Sequence, residues 1–266
     1  MAAAITINFR RPDLTQACVE SLLEDGWAPV MIWDNSDDGG ASVRVLQDQY
    51  ADNPKVLVQA GPANLGFGRG MNAALLTLGK LGFAGPVLLV NNDAQALPGL
   101  RSALMAVLDA TVPPTLVAPR IVQQVGEGGW LHYQPCLALV TKHPVPGSFP
   151  YLSGCCLLVN RRDNSLPLFD EAFFMYGEDV ELSWRIHRQG GRLVLLEHAG
   201  LRHEGAGSSR NGSLFYEYQV SRGHWLLACK LSKDPVQAWL ALAGRMFSLP
   251  TRALLRAARM RSRLPI

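Results

Sequence analysis

The stretch AAITINFRRPDLTQACVESLLEDGWAPVMIWD, Ala3 to Asp34, contains two apolar runs with a helical pattern between them. The runs at Ala3 to Phe9 and Val30 to Trp33 have the length and apolar content of buried strands. Leu14 to Leu23 has helical spacing, and Pro12-Asp13 in front of it is a typical helix start. Strand, helix and strand in this order predict two parallel strands joined by a crossover helix.

The same alternation continues as far as residue 108. Further strands are predicted at Val56 to Gln59 and Pro86 to Val90, and helices at Val43 to Tyr50, Gly70 to Leu81 and Leu100 to Leu108. This pattern predicts an α/β fold, with a mostly parallel sheet and helices on both faces. Such sheets bind ligands at the carboxyl ends of their strands, where the sequence places Asp34 and Asp93.

After residue 112 the pattern changes, because β-rich segments are now separated by glycine and proline. These segments are Leu116 to Val122, Trp130 to Val140 and Tyr151 to Asn160, followed by a strand at Arg192 to Glu197 and a turn at Gly200 to Ser209. They predict a mixed or antiparallel extension of the sheet. From Leu214 onwards the pattern is helical, with predicted breaks at Asp234-Pro235 and Pro250.

Composition and cysteine content exclude several classes of protein. The 266 residues contain no uninterrupted apolar run of the roughly 18 residues that a membrane-spanning helix needs. Residues 1–12 lack the basic start and the long apolar stretch of a signal peptide. The five cysteines are odd in number and form no C-x-x-C pair, which predicts reduced, buried thiols in the cytosol rather than disulfides or a zinc site.

The net charge of +3 is unevenly distributed, because six arginines but no acidic residue follow Asp234. Four of these arginines recur at spacings of four, three and four, along one face of a helix: Arg252, Arg256, Arg259 and Arg263. Such a basic helix suits the anionic cytoplasmic face of a membrane. The alternative is a solvated helix decorated with arginine. Nucleic acid is not expected as a partner, because the rest of the chain does not interleave basic and aromatic residues.

The segment FFMYGEDVELSWR, Phe173 to Arg185, carries two adjacent acids, Glu178 and Asp179. Neighbouring carboxylates raise each other's pKa, and a helix N-terminus relieves part of that cost. Helical spacing from Val180 onwards places the pair at such an N-terminus. A carboxylate in this position is a candidate general base. The alternative is a structural cap with an acidic first turn.

Two further segments have the residue types of a phosphate or metal site. NLGFGRGMN, Asn64 to Asn72, has three glycines in five residues before a helix, so that its backbone could approach a ligand and Arg69 could reach a phosphate. Its alternative is a glycine hinge. Asn91-Asn92-Asp93 ends a strand and suits Mg²⁺ or Mn²⁺ carrying a diphosphate. His203 is a candidate further ligand, although a lone histidine is more often structural.

Asp34 could accept hydrogen bonds from a ribose or a base, although Asp-Asn-Ser-Asp is also good turn chemistry. No G-x-G-x-x-G follows the first strand, which disfavours a Rossmann dinucleotide site. No G-x-x-x-x-G-K-[ST] is present either, so the chain is not a P-loop enzyme.

Seven segments, taken in order, resemble the family 2 inverting glycosyltransferases of the GT-A fold. They are ITINFRRPDL, WDNSDDGG, NLGFGRGMN, LLVNNDA, YLSGCCLLVNRR, FDEAFFMYGEDVELSWR and LRHEGAGSS. The similarity runs from Ile5 to Ser209 and is greatest to rhamnosyltransferase-like enzymes of bacterial surface polysaccharides. The order and spacing of all seven segments carry this resemblance, since each segment alone is nonspecific.

The resemblance implies roles for particular residues. Asp179 would be the catalytic base with Glu178 beside it, while Asp93 and His203 would hold Mn²⁺ or Mg²⁺. The metal motif reads Asn91-Asn92-Asp93, so that the first acid of the family's pattern is missing. Substrate binding would fall to Asn8, Arg10, Asp34, Asn64, Gly66, Arg69, Gly70, Asn72, Asn92, Trp184 and Arg185. Among these, Asp34 would contact the nucleoside, and Trp184 and Arg185 would brace the catalytic helix.

The resemblance also implies a division of the chain and a function. Residues 1–112 would bind the nucleotide sugar, residues 113–212 would bind the acceptor, and residues 213–266 would form basic, membrane-associating helices. The enzyme would transfer a sugar from dTDP-rhamnose or a UDP-hexose to a saccharide, often lipid-linked, at the inner face of the cytoplasmic membrane. A nucleotidyltransferase is the alternative, disfavoured because Phe9 to Pro12 lacks the expected glycine-rich loop. A non-catalytic sugar-binding module is a third hypothesis. The acids Glu178, Asp179 and Asp93 argue against it.

Overall fold

The computed structural model describes residues 1–110, 114–122, 127–160, 167–203 and 213–261. The helices are α1 Pro12–Glu24, α2 Ala41–Gln49, α3 Phe67–Lys80, α4 Leu100–Asp109, α5 Glu178–Arg188, α6 Leu214–Lys230 and α7 Pro235–Arg261. The strands are β1 Ala3–Asn8, β2 Val30–Asp34, β3 Val56–Ala60, β4 Pro86–Asn91, β5 Ala94–Ala96, β6 Thr115–Val122, β7 Glu127–Gly128, β8 Leu131–Gln134, β9 Leu139–Thr141, β10 Phe149–Tyr151, β11 Cys156–Asn160 and β12 Arg192–His203.

The main sheet has the strand order β3-β2-β1-β4-β11-β6-β12-β5, with β7 paired to β6. Strands β3, β2, β1 and β4 are parallel, whereas β11 is antiparallel to both of its neighbours. Strands β6 and β12 are again parallel, and β5 closes the sheet in the antiparallel direction. The predicted α/β fold with a mostly parallel sheet and a mixed second half is therefore confirmed.

Helices cover both faces of this sheet, as predicted. On one face, α1, α2 and α4 pack through residues such as Cys18, Leu46 and Leu104. On the other face, α3 and α5 pack through residues such as Leu75 and Leu182. Strand β2 is buried along its whole length, which explains why its sequence is a continuous apolar run rather than an alternating one. The layers leave the carboxyl ends of the parallel strands at one edge.

A second sheet has three strands, in the order β10-β8-β9. It lies beside the C-terminal helices α6 and α7. A third apolar cluster joins it to the segment before α5 through residues such as Tyr133, Phe173 and Leu227. Helix α7 approaches this part closely, because a Cβ added at Gly244 would lie 2.1 Å from the carbonyl oxygen of Cys136. The C-terminal helices are therefore packed onto the body of the protein.

The predicted helix break at Pro250 is wrong, whereas the break before Pro235 is confirmed. Helix α7 runs from Pro235 to Arg261 with Pro250 inside it. Proline removes the hydrogen bond to the carbonyl four residues earlier, and its ring also crowds that carbonyl. Here the carbonyl is that of Met246, an exposed residue, so that water can replace the lost donor. None of the helices in the described part of the chain has both the length and the apolar content that crossing a bilayer requires.

All five cysteines are free thiols. The predicted burial is confirmed for Cys18, Cys155 and Cys156 but is wrong for Cys136 and Cys229, which are exposed. The predicted division at residues 112 and 212 falls outside the described residues and stays a prediction.

Candidate active site

A buried hydrogen-bond network connects the carboxyl ends of β1, β2 and β4. The amide nitrogen of Asn8 donates to Oδ1 of Asp34 at 2.6 Å and to the hydroxyl of Ser36 at 3.0 Å. The amide oxygen of Asn8 accepts from Thr15 at 2.8 Å, and that hydroxyl accepts from Asn92 at 3.0 Å. The structure thus brings together three predicted site residues, Asn8, Asp34 and Asn92. Sequence analysis did not identify Ser36 and Thr15 as site residues. Ser36 follows the end of β2, and Thr15 lies on α1 facing the end of β1.

The carboxylate of Asp34 is oriented by this network. Both of its described hydrogen bonds, from Asn8 and from Ser36 at 2.5 Å, go to Oδ1, and Oδ2 has no donor among the described residues. Arg10 shapes the neighbouring loop, because its guanidinium donates to the carbonyls of Ser36 at 2.8 Å and Asp37 at 3.1 Å. A contact of Asp34 with a nucleoside stays a prediction, for which Oδ2 is the available acceptor.

The glycine-rich loop packs between the end of β2 and the segment before α5. The Asn35 amide donates to the carbonyl of Gly66 at 2.8 Å, and the Phe67 N–H donates to the carbonyl of Phe174 at 2.8 Å. Gly66 has φ of +78°, and a Cβ there would lie 2.1 Å from the Phe174 carbonyl oxygen. Only glycine fits at this position. Asn64 accepts from the Gly66 N–H at 3.1 Å and so stabilises the turn.

The start of α3 holds the segment that leads into the acid pair. The Asn72 amide donates to the carbonyl of Phe169 at 2.9 Å and accepts from its N–H at 3.0 Å. Arg69 donates to the carbonyl of Glu171 at 3.0 Å. Gly70 lies against the Asn35 amide, since a Cβ there would approach it to 2.8 Å. These residues join the two halves of the site, and direct contacts of Arg69, Gly70 and Asn72 with a donor stay predictions.

Asp93 and His203 form a pair at the edge of the same site. Pairing of β5 with β12 places His203 opposite Ala94, next to Asp93. The Nε2 atom of His203 lies 3.1 Å from Oδ1 of Asp93, and this carboxylate raises the pKa of the histidine. Among the described residues no group of three potential ligand side chains is found. The pair fits a divalent ion whose remaining ligands come from a diphosphate and water.

The acid pair begins helix α5, as predicted, directly after Gly177. Asp179 is half-buried, its Oδ2 accepts from the Gly154 N–H at 3.0 Å, and its Oδ1 accepts from the Val180 N–H at 2.9 Å. Burial raises the pKa of Asp179, while these two N–H groups act in the opposite direction. The carboxylate is therefore held in one orientation by groups that favour its charged form.

Glu178 is the more buried acid, at 6% exposure, and its Oε2 has no hydrogen-bond partner. Burial, together with the negative charge of Asp179, raises the pKa of Glu178 to about 8. Near neutral pH, Glu178 therefore favours its protonated form, while the two N–H groups favour the charged form of Asp179. The structure thus distinguishes two acids that the sequence could only present as neighbours.

The rest of α5 is tied to the loop before it. Arg185 pairs with Glu181 at 2.9 Å and donates to the carbonyl of Leu168 at 2.5 Å. Trp184 packs in the third apolar cluster, and the guanidinium of Arg188 lies 4.7 Å from its ring centroid. Trp184 and Arg185 lie where the predicted bracing role requires.

The acid pair is connected to the strand ends through the start of β11. Gly154 donates to Asp179, and the next residue, Cys155, accepts a backbone hydrogen bond from Asn91 at 2.9 Å. Asn91 is two residues before Asp93. Asp179 and Asp93, 86 positions apart in the chain, are thus linked by a short path of hydrogen bonds.

A cavity of about 310 Å³ lies beside the acid pair. Glu178 and Asp179 contribute to its wall together with aromatic and basic side chains, notably Tyr133, Tyr151, Tyr176, Tyr216, Arg252 and Arg256. Its volume lies at the lower end of the range of small-molecule sites. Sequence patterns did not predict this cavity, because its wall comes from elements that are distant in the chain, among them β8, β10, α5, α6 and α7.

Arg252 and Arg256 of α7 contact the body of the protein, and membrane binding through the basic helix stays a prediction. Arg252 donates to the carbonyl of Ala138 at 2.9 Å, and Arg256 pairs with Glu217 at 2.5 Å. The exposed face of α7 is apolar and includes Val236, Trp239, Leu240, Met246, Phe247 and Leu254. The side chain of Arg259 and the whole of Arg263 lie outside the described residues.

No family model matches the chain. Its sequence is similar to the N-acetylglucosaminyl-diphospho-decaprenol L-rhamnosyltransferase of Mycobacterium tuberculosis, with 29% identity over 220 residues, which covers 71% of this chain and 70% of that enzyme.

Its structure is similar to that of GalNAc-T7 solved with UDP, GalNAc and Mn²⁺, with a TM-score of 0.66 and 13% identity over 80% of this chain and 44% of that one. It is also similar to TarS 1-349 of S. aureus in complex with UDP-GlcNAc, with a TM-score of 0.59 and 14% identity over 88% of this chain and 67% of that one. These likenesses confirm the GT-A fold.

Proposed function

We propose that this chain, which has the GT-A fold and is related in sequence to a rhamnosyltransferase, transfers a sugar, with inversion, from a nucleotide-diphosphate sugar to a hydroxyl of a lipid-linked saccharide. The name of the relative contains a rhamnosyl group and a decaprenyl diphosphate acceptor. On this basis the donor is dTDP-rhamnose, or else a UDP-hexose, and the product enters a bacterial surface polysaccharide.

The position of Asp179 carries the proposal. This carboxylate lines the cavity and is linked through Gly154 and Cys155 to the strand ends that hold Asp34 and Asp93. A base that removes a proton from an acceptor must lie between the acceptor and the donor. Asp179 has that position if the donor occupies the strand ends and the acceptor occupies the cavity.

The transfer then needs one displacement. Asp179 removes the proton from the acceptor hydroxyl, while the oxygen attacks the anomeric carbon from the face opposite the diphosphate. Glu178, which keeps its own proton, does not add a second negative charge beside the base. Asp34 accepts hydrogen bonds from the nucleoside through Oδ2.

Asp93 and His203 would hold Mn²⁺ or Mg²⁺, which when bound would stabilise the charge on the leaving diphosphate. Nε2 of His203 and Oδ1 of Asp93 lie 3.1 Å apart, so that one ion could bind both atoms in place of the proton between them. Asn8, Asn92 and Thr15 fix the loop that carries Asp93 relative to β1.

The apolar outer face of α7 also supports association with a membrane. Trp239 and Phe247 are 75% and 76% exposed, and no acidic side chain follows Asp234. A helix with one apolar face can lie in the bilayer interface. We therefore place the enzyme peripherally on the inner face of the cytoplasmic membrane, where a lipid-linked acceptor would reach it.

Product analysis tests the proposed function against a nucleotidyltransferase acting on a sugar phosphate. The protein is incubated with dTDP-rhamnose or UDP-hexoses and a synthetic prenyl-diphosphate-linked N-acetylglucosamine, the acceptor type in the relative's name. Glycosyl transfer releases a nucleoside diphosphate, whereas a nucleotidyltransferase given nucleoside triphosphate and sugar phosphate releases pyrophosphate. Release of pyrophosphate alone would refute the proposal, and no turnover with either pair would favour a binding module.

A further inference from the structure

The cavity beside the acid pair has a cationic wall that the transfer described above does not use. Arg252 and Arg256 line the cavity from the inner face of α7. Arg245 lies two turns earlier on the same face and is completely buried. The spacings of seven and four residues place all three guanidinium groups on one side of the helix.

Two of these three arginines have only neutral hydrogen-bond partners in the described part of the chain. Arg245 donates to the carbonyls of His224, Pro135 and Ala241 and to the hydroxyl of Tyr133, all of which are neutral. Arg252 also has neutral partners, the Ala138 carbonyl at 2.9 Å and the His224 ring at 3.2 Å. Of the three arginines, only Arg256 pairs with a carboxylate in the described part of the chain.

His224 does not change this charge near neutral pH. Its Nδ1 lies 3.1 Å from the Tyr133 hydroxyl, and its Nε2 faces Arg252. Burial and the nearby arginines lower the pKa of His224 to about 3. The ring therefore stays neutral and accepts from Arg252, so that it neither adds to nor offsets the charge of the guanidinium groups.

We propose that Arg252 and Arg256 form a binding site for the phosphate groups of the acceptor. This inference rests on the proposed function, since it names the anionic part of the acceptor in the same site. Guanidinium groups bind phosphate oxygens through paired hydrogen bonds, and Arg256 can add such contacts beside Glu217. The ligand class is a lipid diphosphate that carries a saccharide.

The charges in the cavity also orient such an acceptor. Phosphates are attracted to the wall of Arg252 and Arg256 and repelled by the carboxylate of Asp179, whereas a neutral saccharide can approach the acid. The saccharide would contact tyrosines, which suit sugar rings because they combine an apolar face with a hydroxyl. The lipid would leave toward the apolar outer face of α7.

Binding of geranyl diphosphate, measured by calorimetry, tests the site without turnover. We expect Arg252→Gln and Arg256→Gln each to weaken binding about 10-fold to 100-fold, as loss of a charge-assisted hydrogen bond does. Arg252→Lys, which keeps the charge, should retain more affinity than Arg252→Gln. Arg192→Gln, at the exposed amino end of β12, is the matched control and should bind like the wild type.

Two competitors distinguish the sources of phosphate. Saturating UDP or dTDP should leave geranyl diphosphate binding intact, because the donor occupies the strand ends; full competition would overturn the proposal. Dihexanoyl phosphatidylglycerol should bind at least tenfold more weakly than geranyl diphosphate. Equal binding that is lost in the same variants would make this a lipid headgroup site and would likewise overturn it.

Kinetics separate this inference from the proposed function. With a prenyl-diphosphate-linked acceptor, the two glutamine variants should raise the acceptor KM about tenfold or more, while the donor KM is unchanged. With an alkyl glycoside that lacks phosphate, the variants and the wild type should have the same acceptor KM.

An unchanged acceptor KM in active variants refutes the phosphate site alone. A wild type that transfers no sugar refutes the proposed function, and the binding data then decide the phosphate site independently. Melting temperatures and UDP binding show whether each variant is folded.

Discussion

The two sides of the acid pair are built in different ways. On the strand-end side, Asn8, Asp34 and Asn92 belong to a largely neutral network at the ends of adjacent strands. On the cavity side, Arg252 and Arg256 come from a helix more than 70 residues further along the chain than Asp179 and bring positive charge. The strand-end side suits a ligand whose position is set by the sheet topology. The cavity side suits a ligand whose orientation is set by charge. This difference is the basis on which we propose the strand ends for the donor and the cavity for the acceptor.

The largest expected effect comes from the group between the two sides. We expect Asp179→Asn to lower kcat by about 10²–10⁴, the usual cost of losing a general base. Donor binding should persist, because the strand-end network does not include Asp179. Steady-state kinetics and calorimetry with UDP or dTDP check both parts. Near-normal turnover would show that another group is the base, and Glu181→Gln, on the same helix, tests for a general effect on α5.

Chelation should act on the strand-end side alone. We expect EDTA to reduce activity by about tenfold or more, and Mn²⁺ or Mg²⁺ to restore it, because Asp93 and His203 would hold the ion next to the diphosphate. Geranyl diphosphate binding in the cavity should not change. Full activity in chelator would remove the metal from the scheme, and Asp93→Asn should reproduce the loss without chelator.

The contact between the two sides can be broken at Gly66. We expect Gly66→Ala to lower the free energy of unfolding by about 3 kcal/mol or more, because its Cβ would lie 2.1 Å from the Phe174 carbonyl oxygen. Gly82→Ala is the matched control: its φ is +86°, but no atom lies within 4 Å of the added Cβ, so that only about 1–2 kcal/mol is lost. Urea unfolding measures both. Equal losses would mean that the loop does not pack against this segment.

Glu178 should make stability depend on pH. Its pKa is about 8 in the folded protein and near 4.5 in the unfolded chain, so the folded state keeps the proton to higher pH. The free energy of unfolding should therefore fall by up to about 1.4 kcal/mol per pH unit as the pH rises between these values.

Glu178→Gln removes this loss, so the variant should match the wild type at pH 4 and exceed its melting temperature increasingly toward pH 8. Glu197→Gln, at an exposed position of β12, is the control and should show no such trend. A difference that is constant with pH would contradict the elevated pKa.

The smallest expected effect concerns the outer face of α7. We expect Trp239→Ser combined with Phe247→Ser to reduce sedimentation with anionic liposomes by about tenfold, because two apolar anchors are lost. Turnover on an alkyl glycoside acceptor should be unaffected. Leu76→Ser combined with Val45→Ser, at exposed apolar positions outside the C-terminal helices, is the control. Equal binding by all forms would remove this face from membrane association.

The sequence predicted the strand-end side because parallel strands place their carboxyl ends together, so Asp34 and Asp93 had to be close. The sequence indicated His203 only as a candidate ligand, since its position beside Asp93 depends on β12 pairing with β5. The direction of Arg252 and Arg256 could not be predicted. Their spacing defined a helix face, but whether that face meets water or protein depends on how α7 packs against α6 and β8. Pro250 was misread because proline disfavours a helix interior without forbidding it.

Arg245 has a consequence for how far the enzyme can reach. Its buried guanidinium donates to four neutral acceptors. Moving α7 away from the body of the protein would therefore leave a charged group without its hydrogen bonds. If the opposite side of that helix rests in a bilayer, the height of Asp179 above the lipid becomes a fixed dimension. The enzyme would then act as a ruler, glycosylating only those glycan chains whose growing end falls at that height.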